Sequence, residues 1–393
     1  MSTRIEVPRN VWILGLTSLF NDTSSEMIHA VLPLFLVSTL SVDVALVGLI
    51  EGTAEATASI LKIFSGAISD YWQRRKELAV FGYGLSTVVK PLFVIASSPL
   101  WVLLARVGDR IGKGIRVAPR DALVADSTDA SNRGTAYGLR QSLDTIGAFL
   151  GPLVAFGLLS TGQSFRFIFA VALIPGVLAV ACLAIGVREP RQPYLASKRA
   201  NPLNIEALKS LGSAYWGLAI AALLFNLGNS SEAFLQLKAK QVMIPDAHIP
   251  LVLVIMNLSY ALSAYPIGAL SDRVNRRTLL ILGWGLNALI YLGLAFSQSP
   301  WQVWLLITSY GLYLGMTQGV LLAMVADRVP EHLRGTAFGF LNLLIGIALL
   351  PASLLAGWLW QTVSPEVAFL VGSGFAVAGM ILLSLKRQVD IGI

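Results

Sequence analysis

Charge is scarce in this chain. Asp, Glu, Lys and Arg make up 13% of its 393 residues, against about 25% in an ordinary soluble domain. A single cysteine, Cys182, lies in an apolar stretch, which excludes a disulfide framework and a thiolate metal site. The three histidines are far apart in sequence and offer no soft-metal cage, so no metal and no cofactor is expected. A long hydrophilic block that could fold as a separate soluble domain is also missing. Apolar residues take that space, at 55% of the chain.

Stretches of about 20 mostly apolar residues are long enough to cross a bilayer as helices, and they recur from end to end. The reading is an all-α membrane protein with twelve transmembrane spans, over residues 10–38, 44–69, 77–97, 99–120, 134–160, 165–187, 212–239, 248–271, 278–297, 301–326, 335–362 and 366–386. The first span has too long an apolar part, and no small-residue cleavage site, for a removable signal peptide.

A net charge of +7 invites a nucleic-acid reading, but the positions of the 29 basic residues dismiss it. With the amino terminus in the cytoplasm, nineteen fall in inside segments and only Arg166, Lys238 and Lys240 in outside ones, as the positive-inside rule requires. Both termini are therefore expected to be cytoplasmic. The chain reads as a multi-pass, monomeric protein of a bacterial plasma (inner) membrane, with the lipid bilayer and not nucleic acid as its partner.

The two halves repeat each other. GAISDYWQRRK from Gly66 is answered by GALSDRVNRR from Gly268, FGYGLS from Phe81 by LGWGLN from Leu282, and RGTAYG from Arg133 by RGTAFG from Arg334. LFNDTSSE from Leu19 is answered by LFNLGNSSE from Leu224 with one extra residue. Two six-helix bundles follow, over residues 1–187 and 212–393, joined by a polar cytoplasmic linker at 188–211.

The loop after the second span reads Gly66, three residues, Asp70, then the basic pair Arg74 and Arg75; its copy is Gly268, Asp272, Arg276 and Arg277. With this loop in both halves, the chain resembles the major facilitator superfamily over essentially its whole length. The resemblance implies the twelve-helix fold of that family, in two pseudo-symmetric bundles, and a cytoplasmic gate at these eight residues. Physically, Gly66 permits close helix approach and Asp70 offers a charge to a helix end or a basic neighbour. Tyr71 stands where the family usually has an arginine, while the second copy keeps Arg273.

The fourth span holds RVGDRIGKGIRVAPR from Arg106. Arg106, Asp109, Arg110 and Lys113 follow i, i+3, i+4, i+7 and share one helical face. A charge at the bilayer centre costs about 2.5–3.5 kcal/mol on insertion scales, so this face turns to a bundle interior or a watery cavity. Arg110, Lys113 and Gly114 fall on the family's fourth-helix motif, with lysine in place of glutamine. That resemblance associates Arg110 with proton coupling.

Counter-charges lie on other spans of the first half: Asp22 and Glu26 on the first, Glu51, Glu55 and Lys62 on the second, Lys90 on the third, Arg140 and Asp144 on the fifth. Buried carboxylates are the groups a proton-driven cycle would titrate, and Asp22, Glu26, Glu55 and Asp144 are the candidates. Many of these charges would serve equally as internal ion pairs that fix packing. The second half offers instead a neutral polar and aromatic wall, with Asn226, Asn229, Tyr260, Asn287, Tyr310 and Asn342 beside Glu232. Substrate contacts are expected from these residues and from Arg106, Asp109, Lys113, Lys62, Lys90 and Arg140, although the asparagines and tyrosines would also serve to bridge helices.

Gly147, Gly151 and Pro152 on the fifth span resemble the family's antiporter signature, with Ala155 and Phe156 where it ends in two glycines. Helix packing by small residues is the competing account. The excess of cationic groups favours an anionic or zwitterionic solute, and the resemblance implies transport by alternating access, driven by protons, with efflux as the direction. A polyspecific drug/proton antiporter and an uptake symporter for an organic anion are the alternatives. A transporter-like receptor is a weaker one. An enzyme is excluded: GDRIGKGIR from Gly108 lacks the GxxxxGK[ST] spacing of a phosphate-binding loop and follows no strand.

Overall fold

The computed structural model describes residues 8–72, 74–129, 132–189, 205–271, 273–330 and 333–385, apart from the side chains of 66, 67, 70–72, 133, 134, 205–207, 334 and 335. Among the described residues there is no strand. The helices are α1 (Arg9–His29), α2 (Leu32–Leu34), α3 (Val44–Trp72), α4 (Arg75–Val88), α5 (Pro91–Ile95), α6 (Pro99–Asp126), α7 (Arg133–Ser160) and α8 (Phe165–Gly186), followed by α9 (Ile205–Ser210), α10 (Ser213–Asn226), α11 (Ala233–Gln241), α12 (Leu251–Ser271), α13 (Arg276–Phe296), α14 (Pro300–Arg328), α15 (Arg334–Thr362) and α16 (Pro365–Leu385). A π-helical turn, Phe35–Thr39, follows α2.

Local chemistry sets the helix ends. Pro99, Pro300 and Pro365 open their helices, at the position where the missing N–H costs nothing. Ser299 and Gln302 close a capping box on α14, and Asn275 accepts from the Arg277 amide at 2.9 Å to start α13. Glu189 serves α4 from a distance in sequence, its two carboxylate oxygens accepting from the amides of Arg75 at 3.0 Å and Lys76 at 2.9 Å.

Nine of the helical stretches among the described residues are long and apolar enough to cross a membrane. The other expected spans coincide with α1, α6, and α10 together with α11. Their departure from plain hydropathy has visible causes. Helix α6 carries eight charged residues in 28, α1 places Asn21, Asp22, Ser24, Ser25 and Glu26 in one stretch, and α10 stops at Asn226 before α11 begins at Ala233.

The chain divides into two compact units, Met1–Phe35 with Thr57–Pro202, and Leu36–Ala56 with Leu203–Ile393. Within the first, α1 packs on α7 and α8, and α4 on α6 and α8. The second repeats the pattern, with α13 on α14 and α16, and α10 on α16. Residues 36–56 join the second unit because Gly52 lets the α3 backbone meet α15: a Cβ there would lie 3.0 Å from Leu350 Cα.

Two crossings fix the first unit. Gly82 of α4 faces Gly112 of α6, and a Cβ on Gly82 would come within 2.7 Å of Arg116 Cβ and 2.8 Å of the Gly112 carbonyl. Gly147 and Gly151 of α7 face α1, where a Cβ on Gly151 would sit 2.7 Å from the Thr23 carbonyl. Below these crossings lies an apolar cluster of Val11, Leu14, Ala79, Tyr83, Leu123 and Leu183.

Candidate functional site

Because α6 is helical without interruption from Pro99 to Asp126, the face begun by Arg106, Asp109, Arg110 and Lys113 continues through Arg116 and Arg120. Arg106, Asp109, Arg110, Arg116 and Arg120 are all buried. Around this face the first unit encloses a cavity of about 240 Å³. Its charged lining comprises Asp22 and Glu26 of α1, Lys62 of α3, Asp109, Arg110, Lys113, Arg116 and Arg120 of α6, and Arg140 and Asp144 of α7. Six cationic side chains thus meet four carboxylates, and in a site of low dielectric an excess of positive charge has long reach.

The charges form a graded network. Asp144 Oδ1 lies 3.5 Å from Arg140 Nη1 and 3.7 Å from Arg120 Nη1. Arg120 Nε also donates to Asp121 at 2.9 Å, and Arg140 Nη2 to Gln141 Oε1 at 2.5 Å. Asp22 Oδ1 accepts from Asn21 Nδ2 at 2.9 Å, and Asp22 lines the same cavity as Asp144. Glu26 pairs with His29 at 3.3 Å. Arg116 lies flat on Tyr83, 4.7 Å from the ring centroid, and donates to Ser86 Oγ at 2.5 Å. Asp109 Oδ2 lies 3.6 Å from Arg110 Nε, whereas Asp109 Oδ1 and Arg140 Nε have no hydrogen-bond partner among the described residues.

Asp22, Glu26, Lys62, Asp109, Arg110, Lys113, Arg140 and Asp144 share this one lining. Three others are placed elsewhere. Arg106 is buried on α6 outside the lining, and Glu55 is half-buried in the part of α3 that belongs to the second unit. Lys90 is buried at the break between α4 and α5, where its amino group donates to Ser24 and Ser25 of α1. Arg116 and Arg120 were not among the expected site residues, although the periodicity that marks Lys113 extends to both.

In the second unit, Asn229 organises an aromatic cluster. Its Oδ1 accepts from the hydroxyls of Tyr291 and Tyr310, each at 3.1 Å, and those two rings stack at 6.4 Å. Tyr310 and Tyr313 meet edge to face at 5.1 Å, and Glu232 lies near the same tyrosines. Asn226 turns back to the Ala222 carbonyl of its own helix at 2.8 Å. Asn287 is buried, Tyr260 donates to Gln318 at 3.1 Å, and Asn342 is exposed.

The signature loops are described in part. Gly66 and Asp70 lie on α3, but their side chains fall outside the described residues, as does Asp272 altogether. Gly268 is exposed near the end of α12. Arg74 pairs with Glu77 at 3.1 Å. Arg75 forms an ion pair with Asp126, and Arg276 forms one with Asp327 at 2.7 Å. Arg277 donates to the carbonyls of Leu383 and Ser384 at 2.8 and 2.6 Å, closing the end of α16. Asp126 and Asp327 had a signal in the sequence: the tripeptide VAD precedes the RGTA repeat in both halves, 201 residues apart.

The Major Facilitator Superfamily model matches residues 14–242 and again 233–390. An uncharacterized MFS-type transporter of Methanocaldococcus jannaschii is 34% identical, over 96% of this chain and 95% of its own. A multi-drug resistance efflux pump PmrA homolog of Lactococcus lactis is 22% identical, over 95% and 93%. Among solved structures, the nucleoside transporter NupG matches with a TM-score of 0.78 at 14% identity, over 96% of this chain and 99% of that one. A bacterial homolog of the human lysosomal transporter Spinster, inward-facing and unoccupied, matches at 0.73 with 18% identity, over 95% and 94%. The duplicated helical chain with its charged cavity is a transporter and not an enzyme, and it belongs to the major facilitator superfamily.

Proposed function

We propose that this chain is a proton-coupled exporter of a small anionic or zwitterionic solute, working by alternating access from a bacterial inner membrane as a monomer. The observation that supports the solute class is the cavity, with six cationic side chains over four carboxylates in about 240 Å³. Guanidinium groups offer forked donors that match carboxylate and phosphate oxygens. Arg140, Arg120 and Lys113 are the anion contacts in this reading, with Lys62 and Arg110 setting the field.

Proton coupling is assigned to Asp22 and Asp144. Both carboxylates line the cavity, and Asp144 lies 3.5 Å from Arg140 and 3.7 Å from Arg120. A proton taken up there removes a negative charge from beside these guanidinium groups, and its release restores a charge that competes with the solute anion for them. Solute and proton are thereby linked through one set of donors. Arg75 with Asp126 and Arg276 with Asp327 are assigned to the cytoplasmic gate.

A polyspecific drug exporter is the second reading, favoured by the names of some relatives, the Lactococcus lactis efflux pump homolog among them. It would need an apolar surface for a lipophilic cation, whereas Tyr291 and Tyr310 of the second unit are buried and hydrogen-bonded to Asn229.

The test uses purified protein in liposomes with an imposed pH gradient and a panel of anionic solutes and lipophilic cations. Wild type moves an anion only when the gradient is present. Arg140→Gln loses transport, and Asp144→Asn retains exchange but no longer responds to the gradient. Normal gradient-driven transport by Asp144→Asn and Asp22→Asn refutes the coupling assignment, and transport confined to lipophilic cations refutes the solute class.

A further inference from the structure

At the end of the first unit where α1 starts and α8 stops, the fold builds a cleft of about 300 Å³, lined by Pro8, Arg9, Asn10, Ser127, Gly186 and Arg188. Asn10 assembles it. Its Nδ2 donates to the Arg188 carbonyl at 2.8 Å and to Ser127 Oγ at 3.1 Å, while its Oδ1 accepts from the Arg188 amide at 3.2 Å. The main chain after α8 is thereby clamped beside the first turn of α1, and the end of α6 is tied in through Ser127. A close approach completes the junction, since a Cβ on Gly186 would stand 2.9 Å from Ile13 Cγ2.

Two like charges meet in this cleft. Arg9 and Arg188 are exposed, and neither guanidinium has a hydrogen-bond or ion-pair partner among the described residues. The adjacent carboxylates are engaged elsewhere: Glu189 accepts from the amides of Arg75 and Lys76, and Asp126 pairs with Arg75. The positive-inside rule accounts for arginines at one face of a membrane protein, but not for a clamp that holds two of them on one cleft. Like charges held together repel. An oxyanion between them replaces that repulsion with forked, charge-assisted hydrogen bonds.

The flanks of the cleft indicate the source of the anion. Trp12, one turn along α1 from Arg9, is 47% exposed, and Ile185, beside Gly186, is 84% exposed. On helices that cross a bilayer such side chains face lipid, and tryptophan is enriched where acyl chains give way to headgroups. A soluble anion makes no use of an apolar flank, whereas a phospholipid fills the cleft with its phosphate and lays its chains beside Trp12 and Ile185. Basic pockets between transmembrane helices suit anionic headgroups for this reason.

We propose that this cleft holds the phosphate headgroup of an anionic phospholipid, with Arg9 and Arg188 as the phosphate contacts and Asn10 as the residue that positions Arg188. The site is separate from the charged cavity, and nothing in it depends on the solute.

Native mass spectrometry of the purified full-length chain, titrated with phosphatidylglycerol or phosphatidylcholine of matched chains, tests this. Both lipids carry a phosphate diester, but choline brings a cation against the arginines. Wild type takes one phosphatidylglycerol several-fold more tightly than phosphatidylcholine. Arg9→Gln and Arg188→Gln each weaken that adduct about fivefold, the effect of one basic residue near an anionic membrane surface. Both side chains are exposed, so the fold tolerates either change. Asn10→Ala leaves the net charge alone and weakens the adduct as well. Arg273→Gln removes an exposed arginine of the second unit and leaves it unchanged.

Equal affinity for the two lipids overturns the inference. So does a loss in Arg273→Gln as large as in Arg9→Gln and Arg188→Gln, because net charge alone would then draw the lipid. An undiminished adduct in Asn10→Ala removes the positioning role of Asn10. Glycerophosphoglycerol, the same headgroup without chains, supplies the last arm: if it displaces phosphatidylglycerol at comparable concentration, the cleft takes a soluble phosphate ester and the lipid assignment falls.

Discussion

Arg276 and Asp327 pair at 2.7 Å between α13 and α14, and 201 residues earlier Arg75 and Asp126 make the same pair between α4 and α6. Duplication has preserved the contact but not its environment. Asp327 is 53% exposed at its side chain, against 14% for Asp126. Exposed pairs contribute under about 1 kcal/mol, whereas a shielded, charge-assisted hydrogen bond contributes about 1.5–3 kcal/mol. Asp126→Asn therefore lowers the thermal midpoint of the detergent-solubilised protein clearly, and Asp327→Asn hardly at all. Equal shifts from the two substitutions would show that burial is not what distinguishes them.

Two glycines of α7 separate packing from propensity. A Cβ at Gly151 would stand 2.7 Å from the Thr23 carbonyl and 2.8 Å from Glu26 Cβ, while at Gly138 nothing lies within 4 Å. Gly151→Ala forces α1 and α7 apart and costs about 1–3 kcal/mol of stability, as overpacking does. Gly138→Ala gains up to about 1 kcal/mol from helix propensity. Opposite signs in thermal denaturation are expected, and a stabilised Gly151→Ala would contradict the crossing.

Asn229 is the shared acceptor of two buried hydroxyls. Tyr310→Phe removes one donor together with its bond and costs about 1 kcal/mol. Asn229→Ala strands both hydroxyls, at about 1–3 kcal/mol each. Chemical denaturation should rank Asn229→Ala well below Tyr310→Phe and Tyr291→Phe; the reverse order would mean that the tyrosines have other partners.

Arg116 combines a ring face with a hydroxyl acceptor, Tyr83 and Ser86. Lysine at this position retains the charge but has neither a planar face nor a fork. Arg116→Lys should lose about 1–2 kcal/mol of stability. The comparison is with Tyr83→Leu in the same background: if the two losses add fully in a double-mutant cycle, the stacking is energetically empty.

The charged face of α6 could be read directly because helical periodicity turns spacing into direction, and Arg106, Asp109, Arg110 and Lys113 repeat at that spacing. The same rule reaches Arg116 and Arg120. Arg120 escaped because it also fits the positive-inside count, and two valid rules competed for one residue near a span end. Asp126 and Asp327 are harder, since an ion pair between helices depends on which helices touch, and only the repeated VAD tripeptide hints at it. The tyrosines of the second half are legible as polar aromatics on apolar helices, but their convergence on Asn229 is a matter of three-dimensional register that no single helix encodes.

Gly82 and Gly112 interlock α4 with α6 at backbone distance, and Gly114 seats α6 against Leu61 of α3. With neighbours meshed on two sides, α6 has no room to swivel. In the proposed alternating-access cycle its arginines and their acidic partners would move as one unit, so that the cost of dehydrating these charges would be met as the chain folds and not again in each cycle.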